Sequence, residues 1–466
     1  MQSGAGGGLV SFARSTLLLL ALMVTAGGFR LTLAGIDPSI PPDQITSVSP
    51  LLYASEGLVL VASLAVLMLN FRTTLEYLRR VAPITVLLVL VFASALWSVD
   101  AGMTVVEGMH YVSGYMASLA VIQLYRTSSV TDLLWEFCFA ILIASALFVI
   151  AIPKIGIHQI TDAEQFVHHG SWRGIFNHRT NLGYAAAGLT VTSVIRWFSG
   201  QPKPTAALGL VTGIVFLVMA NSGGAIIVTT FTLLGLLVFG GLVRLRFQDR
   251  IVVIVIYAMC LLPVLFLLTL GIDTFLALFG KEPTLTGRTL IWETIIGSGA
   301  INPLLGLGYA AGFAVVFLPI LDAAGFDLVN AQGVFFDAYV AFGIVGVAVL
   351  LAIHVWLALL LAKVLLARRS VLAPKDRFAV VGLLLFANIL LLVLNVVESF
   401  FLEANKPLIP MLMLALYPRI RGVPVPARKA DIPSVGASMP PPARPRRGRR
   451  PDYPVGPVDT SALRRS

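Results

Sequence analysis

The chain has 466 residues, of which 58% are hydrophobic and only 12% are charged, and its net charge is +10. Soluble globular domains carry about 25% charged residues, so this composition excludes an ordinary soluble enzyme or binding domain. The apolar stretches lack the alternating pattern of barrel strands, and helices satisfy every backbone group within lipid. The sequence therefore predicts an all-α polytopic membrane protein.

About twelve apolar segments define the predicted transmembrane helices, each near the roughly 20 residues needed to cross a bilayer. In chain order they span 15–34, 51–69, 82–98, 105–124, 131–153, 182–197, 205–220, 224–243, 251–271, 334–362, 378–398 and 406–418. The first is interpreted as a retained helix, because no small-residue cleavage site separates it from the second. The tenth is long and is expected to be tilted or broken near His354.

Lysine and arginine positions predict the orientation. With the N-terminus inside, the cytoplasmic connections carry most of the Lys and Arg between the helices, including Arg72, Arg196 and Lys375. Because positive loops stay inside, residues 1–14 are predicted to be cytoplasmic and residues 15–418 to form the membrane domain. We expect a multi-pass protein of a bacterial inner membrane with both termini in the cytoplasm.

Residues 419–466 are basic and rich in proline, so they predict a disordered cytoplasmic tail. Its expected partners are anionic lipid headgroups, and nucleic acid is not expected beside a membrane domain. The two cysteines, Cys138 and Cys260, fall in predicted spans and are interpreted as small apolar residues. Because no phosphate-binding glycine loop is present, no nucleotide cofactor is expected.

Two predicted periplasmic loops are long: 154–181, and 272–333 between the ninth and tenth helices. Loops of this length are usually functional or disordered. They hold Arg173, Arg179 and Arg288, although outward loops here carry little positive charge. Guanidinium groups bind phosphate through paired hydrogen bonds, so these residues predict a site for a lipid diphosphate. The alternative is that each arginine pairs with a nearby acid.

Four histidines lie in the first long loop: His158, His168, His169 and His178. Clustered histidines raise the hypothesis of a zinc site, but their spacing matches no familiar metal motif and no cysteine accompanies them. We therefore predict no metal. His178 precedes an expected helix start at Asn181, which favours a capping or substrate-contact role for it.

Five blocks of sequence resemble the O-antigen ligase and polymerase superfamily, in particular its exopolysaccharide-production polymerase branch. They are ALWSVD at 95–100, WRGIFNHRTNLG at 172–183, TGRTLIW at 286–292, NPLLGLG at 302–308, and FD at 336–337 with GIVG at 343–346. The resemblance covers most of the membrane region and excludes the tail.

The resemblance implies an enzyme that moves glycan from an undecaprenyl diphosphate carrier to an acceptor at the periplasmic face. Polymerisation of exopolysaccharide or O-antigen repeat units is the leading hypothesis. The implied partners are lipid-linked oligosaccharide, a glycan acceptor, membrane lipids, and a chain-length regulator or flippase. The implied catalytic residues are Arg288, Gln332 and Asp337. The implied substrate-binding residues are Arg173, His178, Arg179, Asn181 and Trp292.

One position departs from the family pattern. The family offers a histidine, proposed as general base, where this chain has Gln332. A glutamine side chain accepts no proton at neutral pH, whereas imidazole does. The candidate replacement bases are Asp337, Glu293, Asp327 and His178.

Three alternatives to the polymerase hypothesis stay open at the level of sequence. The first is a ligase that attaches finished polymer to a lipid or protein acceptor, using the same donor site. The second is a non-catalytic relative that binds lipid-linked glycan. The third is a transporter of lipid-linked glycan, which would be expected to show internal repeats and charged helix centres.

Overall fold

The structure is a computed structural model. It describes residues 4–29, 50–125, 129–160, 168–242, 248–249, 251–252, 286–297, 299–317, 319, 333–367, 372–397 and 407–422. The chain divides into two units, Met1–Pro426 and Ala427–Ser466. The second unit, and with it most of the predicted tail, lies outside the described residues.

Every regular element in the described part of the chain is a helix, which confirms the all-α prediction. The α-helices are α1 Gly4–Thr25, α2 Pro50–Leu69, α3 Phe71–Arg80, α4 Ala82–Ala93, α5 Ala101–Leu124, α6 Asp132–Ala151, α7 Pro153–Gly156, α8 Arg179–Phe198, α9 Lys203–Ala220, α10 Gly223–Leu242, α11 Thr286–Gly297, α12 Val334–Leu366, α13 Pro374–Val397, α14 Leu408–Ala415 and α15 Tyr417–Arg421. A 3₁₀ turn covers Ser94–Leu96, and a π-helix covers Gly312–Phe317.

Three described helices are long and apolar enough to cross a membrane: Asp132–Ala151, Lys203–Ala220 and Val334–Leu366. A fourth span is possible by the same measure if Tyr53–Leu69 and Phe71–Arg80 are taken together, although they meet at a bend of 103°. The count of twelve spans stays a prediction. The predicted ninth span lies outside the described residues except for residues 251–252.

The middle of the molecule is built around α8, which is buried along most of its length. It packs against α6, α9, α10, α13 and α14. Small residues allow these backbones to approach closely, as is usual between membrane helices. A Cβ added to Gly188 would lie 2.8 Å from the sulfur of Cys138, and one added to Gly213 would lie 2.4 Å from Thr190 Oγ1. Cys138 is therefore a buried packing residue, as predicted, whereas Cys260 lies outside the described residues.

Arginines predicted to be cytoplasmic cap the ends of helices. Arg14 and Arg421 donate to the carbonyls of Leu124 and Tyr125 at the end of α5, each at 2.7 Å. Arg377 is buried and donates to carbonyls of the last turn of α12, the shortest of these hydrogen bonds being 2.9 Å. Cations at helix C-termini satisfy orphan carbonyls and oppose the negative end of the dipole. These positive charges therefore have a structural use besides setting orientation.

The long helix α12 is broken, but the break is not where the sequence predicted it. Gly343 has φ 60° and ψ −151°, which is not helical. His354, the predicted place, is helical, and its Nδ1 hydrogen-bonds the carbonyl of Leu350 at 2.8 Å in the ordinary i−4 direction. The break lies at Gly343 because another segment of the chain supplies the hydrogen bonds that the helix gives up there.

Candidate functional site

The loop at 302–308 fills the break in α12. The amide of Leu307 donates to the carbonyl of Val340 at 2.8 Å, and the following amide donates to the following carbonyl at 3.0 Å. In an unbroken helix these two carbonyls would accept from amides of α12 itself. The loop thus replaces one turn of helical hydrogen bonding on the N-terminal side of Gly343.

On the other side of the break, the direction of donation reverses. The amide of Ile344 donates to the carbonyl of Pro303 at 2.9 Å. The contact is so close that it requires glycines: a Cβ on Gly343 would lie 2.4 Å from the carbonyl carbon of Leu304, and one on Gly306 would meet the backbone of Ala341 at 2.5 Å. Two of the resembling blocks, 302–308 and 343–346, therefore form one interlocked unit.

A third block, 95–100, is fastened to the same loop. Trp97 Nε1 donates to the carbonyl of Leu305 at 2.6 Å, and the amide of Val99 donates to the carbonyl of Leu307 at 3.0 Å. Because a buried indole N–H group needs an acceptor, this hydrogen bond fixes the position of the 302–308 loop relative to Trp97. The predicted outward turn between the third and fourth spans thus contributes to the site.

The fourth block contacts the start of α12 through aromatic rings. Trp292 on α11 stacks on Phe336 with ring centroids 4.5 Å apart and planes 9° apart. Asp337 follows in the first turn of α12 and is half-buried. Arg288 is the third residue of α11, and the structure describes its backbone alone. Gln332 lies outside the described residues, directly before the N-cap Gly333.

Arg173 is buried and holds the first long loop together. It is 6% exposed; its Nε donates to the carbonyl of Ile155 at 2.7 Å, and its Nη2 donates to that of Lys154 at 3.0 Å. Its own amide donates to the carbonyl of Gly156 at 2.9 Å. These contacts join the 172–183 block to α7, so Arg173 fixes the conformation of this loop.

Two imidazole rings cap the start of α8. His178 is the N-cap residue, and its Nδ1 accepts from the amide of Thr180 at 3.2 Å, as the predicted capping role requires. The Nε2 of His158 accepts from the amide of Arg179, also at 3.2 Å. The side chain of Arg179 extends to the end of α9, where Nη1 donates to the carbonyl of Asn221 at 2.5 Å.

Asn181 is buried in the first turn of α8 and is 3% exposed. Within the part of the chain that the structure describes, its Oδ1 accepts no hydrogen bond. A buried amide oxygen in this state costs free energy, so it is a candidate acceptor for a ligand hydroxyl. This is the geometry that fits the predicted substrate contact of Asn181.

Three of the clustered histidines form a triangle. The ring centroids of His158, His168 and His178 lie 5.4 to 5.9 Å apart. Burial, and then the charges of Arg173, His168 and Arg179, lowers the pKa of His158 from 6.5 to about 3. Among the described residues, no three His, Cys, Asp or Glu side chains are grouped to hold a metal ion. The three rings pack edge to face against one another.

The structure gathers the predicted site residues into two groups. One group, around α12, contains Trp292 and Asp337 together with the 95–100 and 302–308 blocks. The other, at the start of α8, contains Arg173, His178, Arg179 and Asn181.

The comparisons with known proteins agree with this arrangement. Residues 208–351 match the family described as O-antigen ligase, and they include α11, the 302–308 loop and the break in α12. The chain is also similar to the exopolysaccharide production protein ExoQ of Rhizobium meliloti (strain 1021), with 36% identity over 89 residues. Both matches support the resemblance of this chain to the O-antigen ligase and polymerase superfamily. The match with ExoQ covers 17% of this chain and spans 20% of that relative.

The match with the O-antigen ligase family supports the two groups of residues unequally. Arg288, Trp292, Gln332 and Asp337 lie within the matched residues 208–351. The residues at the start of α8 precede the matched segment, so their assignment depends on the resemblance of the 172–183 block and on the geometry just described.

Two contacts at the candidate site could not be predicted from the sequence. His158 accepts a hydrogen bond from the amide of Arg179, which lies 21 residues further along the chain, so no local pattern links the two. Trp97 donates to the carbonyl of Leu305, which lies 208 residues away. Trp97 lies within the resembling 95–100 block, which offers a signal in the sequence, whereas His158 lies outside every block.

Proposed function

We propose that this chain is a membrane glycosyltransferase that polymerises repeat units carried on undecaprenyl diphosphate, at the periplasmic face. One observation carries the proposal: the matched O-antigen ligase segment brings the 302–308 loop, Trp292 and Asp337 together at the start of α12. The name of the similar protein, ExoQ, refers to exopolysaccharide production, which favours polymerisation.

In this proposal Arg288 holds the diphosphate of the donor. Its position in the first turn of α11 adds the positive end of a 12-residue helix to the charge of the guanidinium. Both stabilise the negative charge that grows on the diphosphate as the bond to the sugar breaks. Arg173 supports this indirectly by fixing the first loop, and Arg179, His178 and Asn181 contact the glycan or its diphosphate.

The acceptor hydroxyl loses its proton as it attacks the anomeric carbon, so a group must receive that proton. Asp337 is the base in this proposal, because it directly follows Phe336 of the Trp292–Phe336 stack and Gln332 offers no basic group. Diphosphate is a good leaving group, which reduces the basicity required. Trp292 then presents an aromatic face beside the base, where a sugar ring can pack.

A ligase is the second candidate, because the matched family is described as O-antigen ligase. A ligase would use the same donor site and differ in the acceptor, which would be a lipid or a protein instead of a second repeat unit. Cells that make polymer but fail to attach it to its final acceptor in the absence of the chain would identify a ligase.

The test uses cells that lack this protein, complemented with the wild-type chain or with Arg288→Ala. Wild type is expected to restore polymer, whereas Arg288→Ala is expected to insert normally and to leave single repeat units on the carrier lipid. Arg72→Ala, an exposed arginine on the predicted cytoplasmic helix α3, is the matched control and is expected to restore polymer. Polymer length and carrier-linked glycans are read by electrophoresis and mass spectrometry.

If Arg288→Ala restores polymer, Arg288 does not hold the diphosphate. A deletion strain without accumulated repeat units, and with unchanged polymer, would exclude both transferase candidates. Such a result would favour a transporter or a non-catalytic glycan-binding relative.

A further inference from the structure

The N-terminus of α8 is capped in an unusual way. The first amides of a helix are most often satisfied by Ser, Thr, Asp or Asn. Here the amides of Arg179 and Thr180 both donate to imidazole nitrogens, of His158 and His178 respectively, each at 3.2 Å. One of these histidines comes from outside the helix, 21 residues before the amide it caps.

Each of these hydrogen bonds requires a neutral imidazole. A neutral ring has one nitrogen with a free lone pair, whereas a protonated ring donates at both nitrogens and accepts at neither. Protonation of His158 would therefore remove the acceptor from the amide of Arg179. It would also place a positive charge at the positive end of the α8 dipole.

The surroundings of His158 oppose its protonation. The side chain is fully buried, and the titratable or charged groups that face it within the described residues include His168 and His178 from the triangle, and the guanidinium groups of Arg173 and Arg179. Its backbone is fixed as well, because its amide donates to the carbonyl of Ser171 at 2.9 Å. His158 thus ties together the loop that Arg173 shapes and the helix that carries Arg179.

We propose that His158 is a positioning residue of the glycan-transfer site: its neutral Nε2 fixes the first turn of α8, and with it Arg179 and Asn181, and acid releases that turn. The role of the turn in glycan transfer rests on the function proposed above. The hydrogen bond between His158 and the amide of Arg179, and its dependence on pH, are independent of that function.

The direction and range of the acid effect follow from the two states of the loop. We call the loop closed when His158 is buried and accepts from the amide of Arg179, as in the structure, and opened when this hydrogen bond is broken and His158 is exposed. In the opened loop His158 titrates near its ordinary pKa of 6.5, and in the closed loop its pKa is about 3. Between these values the opened loop binds one more proton, so the closed loop loses stability as the pH falls, and above 6.5 it is unaffected. The opening equilibrium should rise about tenfold for each pH unit below 6.5.

The experiment measures hydrogen exchange of the full chain in lipid nanodiscs, by mass spectrometry of peptides that contain Arg179 and Thr180. After correction for intrinsic exchange rates, wild-type opening should be roughly 30-fold greater at pH 5 than at pH 7.5. His158→Gln keeps a neutral acceptor that cannot be protonated in this range. It should retain protection at pH 7.5 and lose most of the acid effect.

His169→Gln is the matched control, because His169 is exposed in the same loop and lies outside the triangle. It should behave like wild type at both pH values. If His158→Gln fails to fold, His178→Asn replaces the second imidazole with a good N-cap residue and should keep the acid effect, because His158 is still present. Loss of the acid effect in that variant would contradict the proposal. Wild-type protection that is equal at the two pH values would overturn the proposal, as would an acid effect that survives in His158→Gln.

Polymer formation at the two pH values is measured in parallel. If the exchange results are as expected and polymer formation in wild type falls at pH 5 more than in His158→Gln, the turn positions the transfer site. If the exchange results are as expected but no variant affects polymer, the proposed function fails while the role of His158 in fixing the turn stands.

Discussion

The Arg173 side chain binds backbone carbonyls of its own loop, although it was predicted to bind substrate. Its sequence setting predicts a phosphate ligand, yet its guanidinium is buried and donates to the carbonyls of Lys154 and Ile155. Hydrogen bonds from a charged group contribute about 1.5–3 kcal/mol, and the loss of this one would remove a hydrogen bond from the carbonyl of the buried Ile155. A diphosphate that bound Arg173 directly would have to compete with these carbonyls.

Arg173→Ala should therefore destabilise the protein by about 2 kcal/mol or more, since two side-chain hydrogen bonds disappear, one of them to the carbonyl of the buried Ile155. The measurement is the thermal unfolding midpoint of the purified protein in detergent, followed by tryptophan fluorescence. Arg72→Ala removes an exposed arginine and should change stability by less than about 0.5 kcal/mol. Equal midpoints for the two variants would show that the carbonyl contacts of Arg173 contribute little.

The same residues show what sequence alone predicts about the candidate site. The capping role of His178 was predicted, because a cap and the helix that it caps are neighbours in sequence. The second cap, His158, was not, because its distance from the helix start gives no local pattern. The partners of Arg173 were not predicted either, because the sequence does not show whether a guanidinium group binds a phosphate or a backbone carbonyl.

At the scale of elements, hydropathy predicted most helices to within a few residues, because a long apolar run in lipid has to be helical. The tenth span was predicted at 334–362, and α12 covers Val334–Leu366. Its break was placed wrongly, near His354. The true break depends on the 302–308 loop, which supplies hydrogen bonds from far along the chain, and no periodicity within α12 reveals it.

Gly343→Ala should open this interlock. A Cβ at that position would lie 2.4 Å from backbone atoms of Leu304, and the φ of 60° with a ψ of −151° is a region used almost only by glycine. We expect a loss of at least about 2 kcal/mol in stability, together with faster hydrogen exchange in the 302–308 loop and loss of polymer.

The control for this variant is Gly297→Ala, at the end of α11, where an added Cβ meets nothing within 4 Å. It should leave exchange in the 302–308 loop unchanged. Slow exchange in Gly343→Ala, equal to that of wild type, would mean that the loop does not depend on the break.

At the scale of the whole molecule, several contacts join segments that are predicted to lie on the same side of the membrane. Segments predicted to be cytoplasmic contact one another, as Arg14 contacts Leu124 and Arg80 contacts the carbonyl of Ile420. Segments predicted to be periplasmic do the same: Trp97 contacts Leu305, and Arg179 contacts Asn221. The order of the spans stays a prediction from hydropathy, and their orientation stays a prediction from the charge asymmetry.

Accessibility of single cysteines tests the orientation itself. In a chain carrying Cys138→Ala and Cys260→Ala, a new cysteine replaces either His169 or Thr73, both of which are exposed. The positive-inside rule places the loop of His169 outside and α3 inside, because α3 carries Arg72, Arg79 and Arg80. A membrane-impermeant maleimide should therefore label His169→Cys in intact spheroplasts and label Thr73→Cys only after lysis.

The opposite labelling pattern would place the start of α8 and its two imidazole caps at the cytoplasmic face, on the wrong side for a donor presented to the periplasm. The proposed transferase site would then have to be abandoned even if Arg288 proved essential. With the expected pattern, the two groups of site residues face the same compartment, because the 154–181 and 272–333 loops are separated by an even number of predicted spans. A single lipid-linked donor could then contact both.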